Sequence, residues 1–364
     1  TFKNISLEMG RELEEVVISA TNSEKIHEQT QMSSIKIPMK QIEKLPAFMG
    51  ERDILKIIQL LPGIQSGSEG TSGLYVRGGG PDQNLILLDG MPIFSPFHLG
   101  GLFSVFNADM LDRAELQSGG FAAEHGGRVS SVLQIESDAG DGETKIDAGI
   151  SLLATRIAVG GRLPDGVANA LGMANLKWRV SGRRSYFDVL LKPAFEFPYH
   201  LTDAQTVMEG WTHSGDRVML TGYTGADVLD LTRFDPKDFP LRIDWDWGND
   251  VAGVRWTRAR RGGGSLDVRA NFSRYGTGLN FPDFGDTQFS SHIQQAQARV
   301  DLDTRPSAKL GLKVGAALEK TSYRNLFETG GTVFGSGEGS GVLLGTYGQV
   351  NWSRPREWLV EAGL

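Results

Sequence analysis

The chain has 364 residues, 37 Lys plus Arg against 44 Asp plus Glu, and a net charge of −7. That length holds roughly two or three ordinary domains, and the acidic balance argues against a general nucleic-acid binder, which needs a basic surface to neutralise phosphates. Cysteine is absent, so disulfide frameworks, Cys-ligated zinc and thiol catalysis are excluded. No apolar run reaches the roughly 18 residues of a transmembrane helix. Barrel strands stay open as a route through a membrane, because their alternation keeps mean hydropathy low.

No signal peptide opens the chain. Thr1-Phe2-Lys3 leads into strand-like Asn4-Ile5-Ser6-Leu7-Glu8, so a processed leader or a start inside a longer protein is expected. Residues 1–35 are polar apart from Val16-Val17-Ile18, flanked by Glu14, Glu15, Ser19 and Thr21. Such a patch suits an extended segment that pairs with the sheet edge of a partner.

The texture changes at residue 36. Ile54, Leu55, Ile57, Ile58, Leu60 and Leu61 carry a helical apolar face that ends at Pro62-Gly63. Leu74-Tyr75-Val76-Arg77 runs into Gly78-Gly79-Gly80, and Leu85-Ile86-Leu87-Leu88 meets Asp89-Gly90 before Met91-Pro92-Ile93. An apolar run, Asp-Gly and a second apolar run predict a hairpin. A second short helix over 107–111 and strands over 113–117 and 129–136 complete a compact α+β domain.

From Lys145 the period becomes two. In 176–183 Lys177, Arg179 and Arg183 share one face, and Leu176, Trp178 and Val180 the other. Segments 146–152, 266–273, 295–303 and 309–319 repeat the pattern, and 157–163, 218–224, 251–258, 346–353 and 358–364 carry it more weakly. Turns such as 260–264 and longer polar loops such as 327–341 are expected between them. A half-buried sheet in a soluble sandwich alternates in the same way. The segments nevertheless approach the ~9–11 residues of a tilted membrane strand, and short turns alternate with long loops, which favours a membrane barrel.

Four separated pieces then match one family in order and spacing. They are Leu74–Gly78; Leu85 to Ile93, with Asp89 and Gly90; Asp112-Arg113-Ala114-Glu115-Leu116; and Gly119 to Val129, with Gly126 and Gly127. Together they resemble the plug of TonB-dependent outer-membrane receptors. Glu15, Val16, Val17, Ile18, Ser19 and Ala20 resemble the TonB box, whose β-branched residues would add a strand to the energy-coupling partner. Ser181 to Asp188, and Ile5-Ser6-Leu7 ahead of the box, resemble the non-starch branch of Bacteroidetes-like bacteria. There is one departure. Many members carry Arg just before Gly119, in an ion-pair cluster locking plug to barrel, whereas this chain has Ser118. Arg77 matches the cluster's other plug arginine, so a partial lock is implied.

The resemblance implies an α+β plug domain followed by antiparallel transmembrane β-barrel strands. Residues 1–12 would be the tail of a preceding β-sandwich or leader, 13–35 the TonB box and linker, 36–143 the plug, and 144–364 the N-terminal part of the barrel. Family barrels have about 22 strands, and roughly ten are legible here, so an incomplete barrel in a fragment is expected. The implied partners are the inner-membrane TonB complex, outer-membrane lipid, a small solute of unknown identity and, on the resemblance alone, a surface lipoprotein. Lys177, Arg179, Arg183 and Arg269 are the expected lumen wall.

No catalytic chemistry stands out. Gly78-Gly79-Gly80 lacks the Gly-Lys-Ser/Thr of a phosphate loop and reads as a turn. The six histidines have no zinc-ligand spacing, and Gly337-Glu338-Gly339-Ser340-Gly341 is not ordered as a nucleophile elbow. Asp244-Trp245-Asp246-Trp247 puts carboxylates and indoles on opposite strand faces, where an interfacial aromatic girdle is preferred over a sugar or calcium site. No cofactor or metal is implied. The resemblance implies energised uptake of a scarce solute (siderophore, cobalamin, oligosaccharide or peptide) across the outer membrane, by a receptor that is not an enzyme. The alternative is a soluble, secreted β-rich binding or adhesion protein.

The box carries the first prediction. Val17→Pro removes a backbone donor needed for strand addition. Uptake by the full receptor should fall sharply while surface binding of solute stays near wild type; unchanged uptake would detach energy coupling from 15–20.

Overall fold

The computed structural model describes residues 34–42, 51–66, 73–151, 153–190, 198–233, 242–354 and 358–364. The segment resembling a TonB box and the one at 5–7 lie outside them.

Nine short strands come first: β1 (Ser34–Pro38), β2 (Ile64–Ser66), β3 (Leu74–Val76), β4 (Asn84–Leu88), β5 (Met91–Pro92), β6 (Phe97–His98), β7 (Phe103–Ser104), β8 (Leu111–Gln117) and β9 (Ser131–Ser137). Five of them form a sheet in the order β1-β8-β9-β4-β5, antiparallel except where β4 runs parallel to β9. The helix Ile54–Ile58 buries all four of its apolar residues in the core beside this sheet, each worth about 1.5–3 kcal/mol. It is shorter than the apolar pattern over 54–61, because Leu60 turns outward and is 78% exposed. Asp53 starts it by accepting from the Leu55 and Lys56 amides, satisfying donors the helix cannot pair itself. The helix expected over 107–111 is a single 3-10 turn, Ala108–Met110, capped by Asn107.

The Asp-Gly hairpin forms between β4 and β5. Asp89 (φ 50°) and Gly90 (φ 87°) both have positive φ, the requirement of a tight turn whose twist matches its strands. A Cβ on Gly90 would meet the Arg269 guanidinium at 3.3 Å, so this turn presses against the wall behind it.

That wall is one antiparallel sheet in strict chain order, eleven strands among the described residues. The strands are β10 (Lys145–Ile150), β11 (Ala154–Arg162), β12 (Met173–Ser185), β13 (Tyr199–Thr212), β14 (Arg217–Asp230), β15 (Asp244–Ala259), β16 (Gly264–Phe281), β17 (Thr287–Ser307), β18 (Leu310–Thr329), β19 (Thr332–Arg354) and β20 (Trp358–Gly363). Two of them correct the sequence reading. Residues 327–341, expected as a loop, are the end of β18, a two-residue turn and the start of β19. Alternate glycines from Gly335 to Gly341 erase the side-chain pattern there, and the ladder with β18 supplies the strand. β13 gives little period-two signal, because its outward side carries His200, Thr202, Ala204 and Thr206 beside inward Asp203 and Gln205.

The two faces of the wall differ in chemistry. On β16, Asp267, Asn271 and Ser273 are buried inward, while Ala270 and Phe272 are exposed outward. Val180, Leu220, Val254, Val300, Val314, Leu318, Val342 and Leu344 are all exposed, and together they form an apolar belt. A belt of that extent on a water-soluble protein would drive association; facing lipid, it is the outer band of a membrane barrel. The belt is bounded along one line of directly paired residues, Thr224, Asp250, Arg274, Gln294, Ser322 and Ser340. Arg274 and Thr224 both bond Asp250 within that line. β15 to β19 run to 16–23 residues, more than the ~9–11 that hydrocarbon requires, so the strands continue past the belt into polar surroundings.

The native absence of cysteine makes the belt testable. Val268→Cys, Ala270→Cys and Phe272→Cys should each report contact with a lipid-phase probe in the inserted receptor, while Arg269→Cys and Asn271→Cys should not. Val268→Arg should destabilise the barrel by about 2–4 kcal/mol if that position lies near the midplane. Lipid contact at all five positions, or at none, would overturn the assignment of faces.

Candidate functional site

The inward face of β12 carries Lys177, Arg179 and Arg183, and each bonds an atom of the plug side of the molecule. Lys177 donates to the Gly140 carbonyl at 2.8 Å and pairs with Glu209 at 3.1 Å. Arg179 joins Asp138 at 3.3 Å and Asp147 at 2.6 Å. Arg183 donates to the Ser104 carbonyl at 2.8 Å and pairs with Asp203 at 2.6 Å. Arg269, paired with Asp267, stands against the Asp89-Gly90 turn, and Asn271 beside it donates to the Gly90 carbonyl at 3.2 Å. Asp89 accepts from the Ser137 amide and from the Thr221 hydroxyl of the wall, at 2.9 and 2.7 Å. Burial, against these hydrogen bonds, pushes its pKa up.

The other plug-motif residues are placed differently. Arg113 bonds Glu136 across β8 and β9 at 2.5 Å, and Glu115 bonds Ser34 at 2.7 Å and Lys36 at 3.6 Å on β1. Those pairs tie the plug's own strands together at a wet edge, where such contacts contribute little. Arg77 (φ 49°) and Gly78 (φ 82°) form the turn after β3, with the Arg77 side chain exposed. A Cβ on Gly126 or Gly127 would meet nothing within 4 Å, and Gly127 is fixed instead by its φ of 76°.

Two clusters escaped the sequence reading. In the first, Glu124 meets Arg299 at 2.9 Å and Lys313 at 2.7 Å, and Gln349 accepts from the Ala123 amide at 3.1 Å. Burial opposes charge on Glu124, but Lys313, His125 and Arg299 outweigh it and lower its pKa. In the second, His98 lies between Asp203 and Asp227. The inward parity of Arg299 and Lys313 was readable from strand alternation, whereas that of Asp203 and Asp227 was not, since no alternating segment covers them. Which plug residue faces each was not readable either, because the partners are separated by more than a hundred positions.

Above the plug the lumen face becomes aromatic. Trp245 and Trp247 share the inward parity of Asn249, which bonds both backbone groups of Ser95 on the plug. Trp247 is buried against Tyr199, with ring centroids 6.3 Å apart. The expected lipid girdle is therefore overturned: both indoles face inward, and Asp244 and Asp246 face away. Trp245, Leu279, Phe289 and Phe327, with Thr277 and Asn325, line a groove of 590 Å³. Phe289 and Phe327 stack at 4.5 Å, and the Trp245 indole donates to the Thr277 hydroxyl at 3.0 Å. No metal-holding group of acids and histidines occurs among the described residues.

Residues 26–131 match the family model of the TonB-dependent receptor plug domain. The vitamin B12 transporter of Vibrio vulnificus is 25% identical over 250 residues, which is 66% of this chain and 37% of that protein. The ferrienterobactin receptor of Escherichia coli is 32% identical over 125 residues, 29% of this chain and 16% of that protein. The chain thus spans 16–37% of the length of these curated relatives. A ferric enterobactin receptor of Pseudomonas aeruginosa superposes with a TM-score of 0.66 at 14% identity, over 92% of this chain and 57% of its own. The outer-membrane ferripyoverdine receptor of that species gives 0.66 at 12%, over 90% and 50%; these two likenesses establish a shared fold. Family model, relatives and architecture agree: residues 26–131 match the TonB-dependent receptor plug domain, and the strands that follow share the fold of the barrels of such outer-membrane receptors.

Proposed function

We propose that the whole receptor binds a scarce solute at the outer surface and admits it when its plug is displaced by a TonB partner acting through residues 15–20. The observation that carries this reading is the chemistry of the plug–wall contacts. The Asn249–Ser95, Arg183–Ser104, Asn271–Gly90 and Arg299–Glu124 contacts are all polar. Water replaces polar contacts at small cost, whereas separating a dry apolar interface costs ~25 cal/mol per Å² exposed. Apolar contact with the wall also occurs, in three patches: Tyr223 and Val251 in the plug's core cluster, Phe103 among Tyr199, Leu201 and Trp247, and Met110 among Ala158, Val207 and Met219.

The solute is proposed to settle first on the aromatic groove. Its lining carries no ionised side chain, which suits a planar, uncharged face stacked on Trp245 and the Phe289–Phe327 pair. Ferric siderophores and cobalamin are the substrate types named for relatives and are the first to try. Outer-membrane lipid is the proposed partner of the belt. The branch resemblance and the surface lipoprotein rest on the sequence alone.

Cells expressing the full receptor should accumulate one of cyanocobalamin, ferric enterobactin or ferripyoverdine when energised and only bind it when de-energised. Trp245→Ala should weaken surface binding of that solute about tenfold, the value of one aromatic stacking contact. Recovery of the receptor in the soluble fraction without detergent, or accumulation indifferent to energy, would overturn the reading.

A further inference from the structure

His98 is only 1% exposed, and it lies on the plug, while the two carboxylates it meets, and the guanidinium paired with one of them, lie on the wall. Its Nδ1 is 2.6 Å from Asp227 Oδ2 and its Nε2 is 3.2 Å from Asp203 Oδ2. A neutral imidazole has one N–H and one bare lone pair. With a carboxylate against each nitrogen, a neutral ring would set that lone pair against carboxylate oxygen, so the geometry requires both protons.

The charges agree. Arg183 on β12 pairs with Asp203 on β13, and Tyr199 donates to Asp227 on β14. Tyr223 on β14 and Glu51 of the plug lie close enough to act on this group electrostatically. The core quartet of Arg183, His98, Asp203 and Asp227, with each side chain no more than 5% exposed, balances only when the ring is charged. A neutral ring would leave one carboxylate uncompensated in a dry site, which is costly.

The chain after His98 is strained. Leu99 has φ 41°, followed by Gly100 at 60° and Gly101 at 97°. A non-glycine residue is disfavoured at positive φ, and Asp227 holds this one by accepting from the Leu99 amide at 3.4 Å.

We infer that His98 is a proton-held latch: its doubly protonated ring ties plug residues 97–104 to the β12–β14 wall, and loss of one ring proton frees them. Burial works against charging the ring, but the bonds to Asp203 and Asp227 outweigh it and raise the pKa above the ordinary histidine value. The sign follows. A raised pKa means the docking contribution is complete below the pKa of the freed ring and is lost as pH rises through the docked one. Carboxylates ordinarily titrate below this window, and phenols and guanidinium above it. The latch therefore closes in mild acid and loosens in alkali.

Hydrogen exchange of 97–104 in the detergent-solubilised full receptor, corrected for intrinsic rates, tests this from about pH 6 to about pH 9.5. Protection of 97–104 should fall by up to about tenfold per pH unit above the docked pKa, while 131–137 stays level. His98→Gln should give weak protection with no pH dependence. Asp227→Asn, which keeps the side-chain shape, should move the fall to lower pH, and it decides the matter if the glutamine variant does not fold. Level wild-type protection throughout, or a wild-type profile in either variant, would overturn the latch. Because solute and uptake play no part in the measurement, its failure would leave the receptor reading untouched.

Discussion

A chain crossing hydrocarbon can send its backbone N–H and C=O groups only to the strand beside it, since lipid offers no partner. The described wall obeys this from β10 to β20, each strand antiparallel to the next in chain order. Register follows from that constraint, and register decides everything on the two faces. A slip of one residue would carry Arg179, Arg183, Arg269 and Arg299 into lipid and bring Val180, Phe272 and Val300 against the plug. The strict ladder is thus also what aims the lumen-wall cations at the plug.

The plug has the opposite requirement. On the proposed mechanism it would fold firmly by itself yet part from its surroundings. Ile54, Leu55, Ile58, Leu88, Leu116 and Leu133 make its own core, while its boundary with the wall mixes ion pairs and amide and hydroxyl bonds with apolar patches at Phe103 and Met110. Glu124 between Arg299 and Lys313, and His98 between Asp203 and Asp227, are compensated pairs rather than isolated charges. Such contacts are specific in position, because removing one partner strands the other. They also exchange readily for water once both partners are wet. Firm location by contacts that water can replace is what the proposed plug displacement would require.

The groove sits where those requirements meet. Asn249 grips the plug through Ser95, and four positions along the same strand face Trp245 opens the aromatic lining. Aromatic rings facing lumen water are costly unless something apolar covers them. Their placement immediately above the plug contacts links the surface a solute would meet to the contacts that hold the plug.

Much of this was legible in the sequence, wherever a local rule sufficed. Asp89-Gly90 between apolar runs specified a turn with two positive φ values. Alternation over 176–183 and 266–273 placed the cations on one face and the apolar residues on the other. The ordered plug pieces gave the family. Other features were set only by long-range pairing. β13 and the glycine-rich start of β19 are strands because neighbours offer them a ladder, with no pattern of their own to announce it. The inward direction of Trp245 and Trp247 follows from the parity that strand register assigns to Asn249. His98 had no motif: its role comes from two aspartates 105 and 129 positions away, brought together when the plug is enclosed by its wall. Sequence encodes which residues share a face, because that is a matter of period. Only the tertiary structure decides what each face meets, because the opposition of wall and plug depends on register summed over many strands.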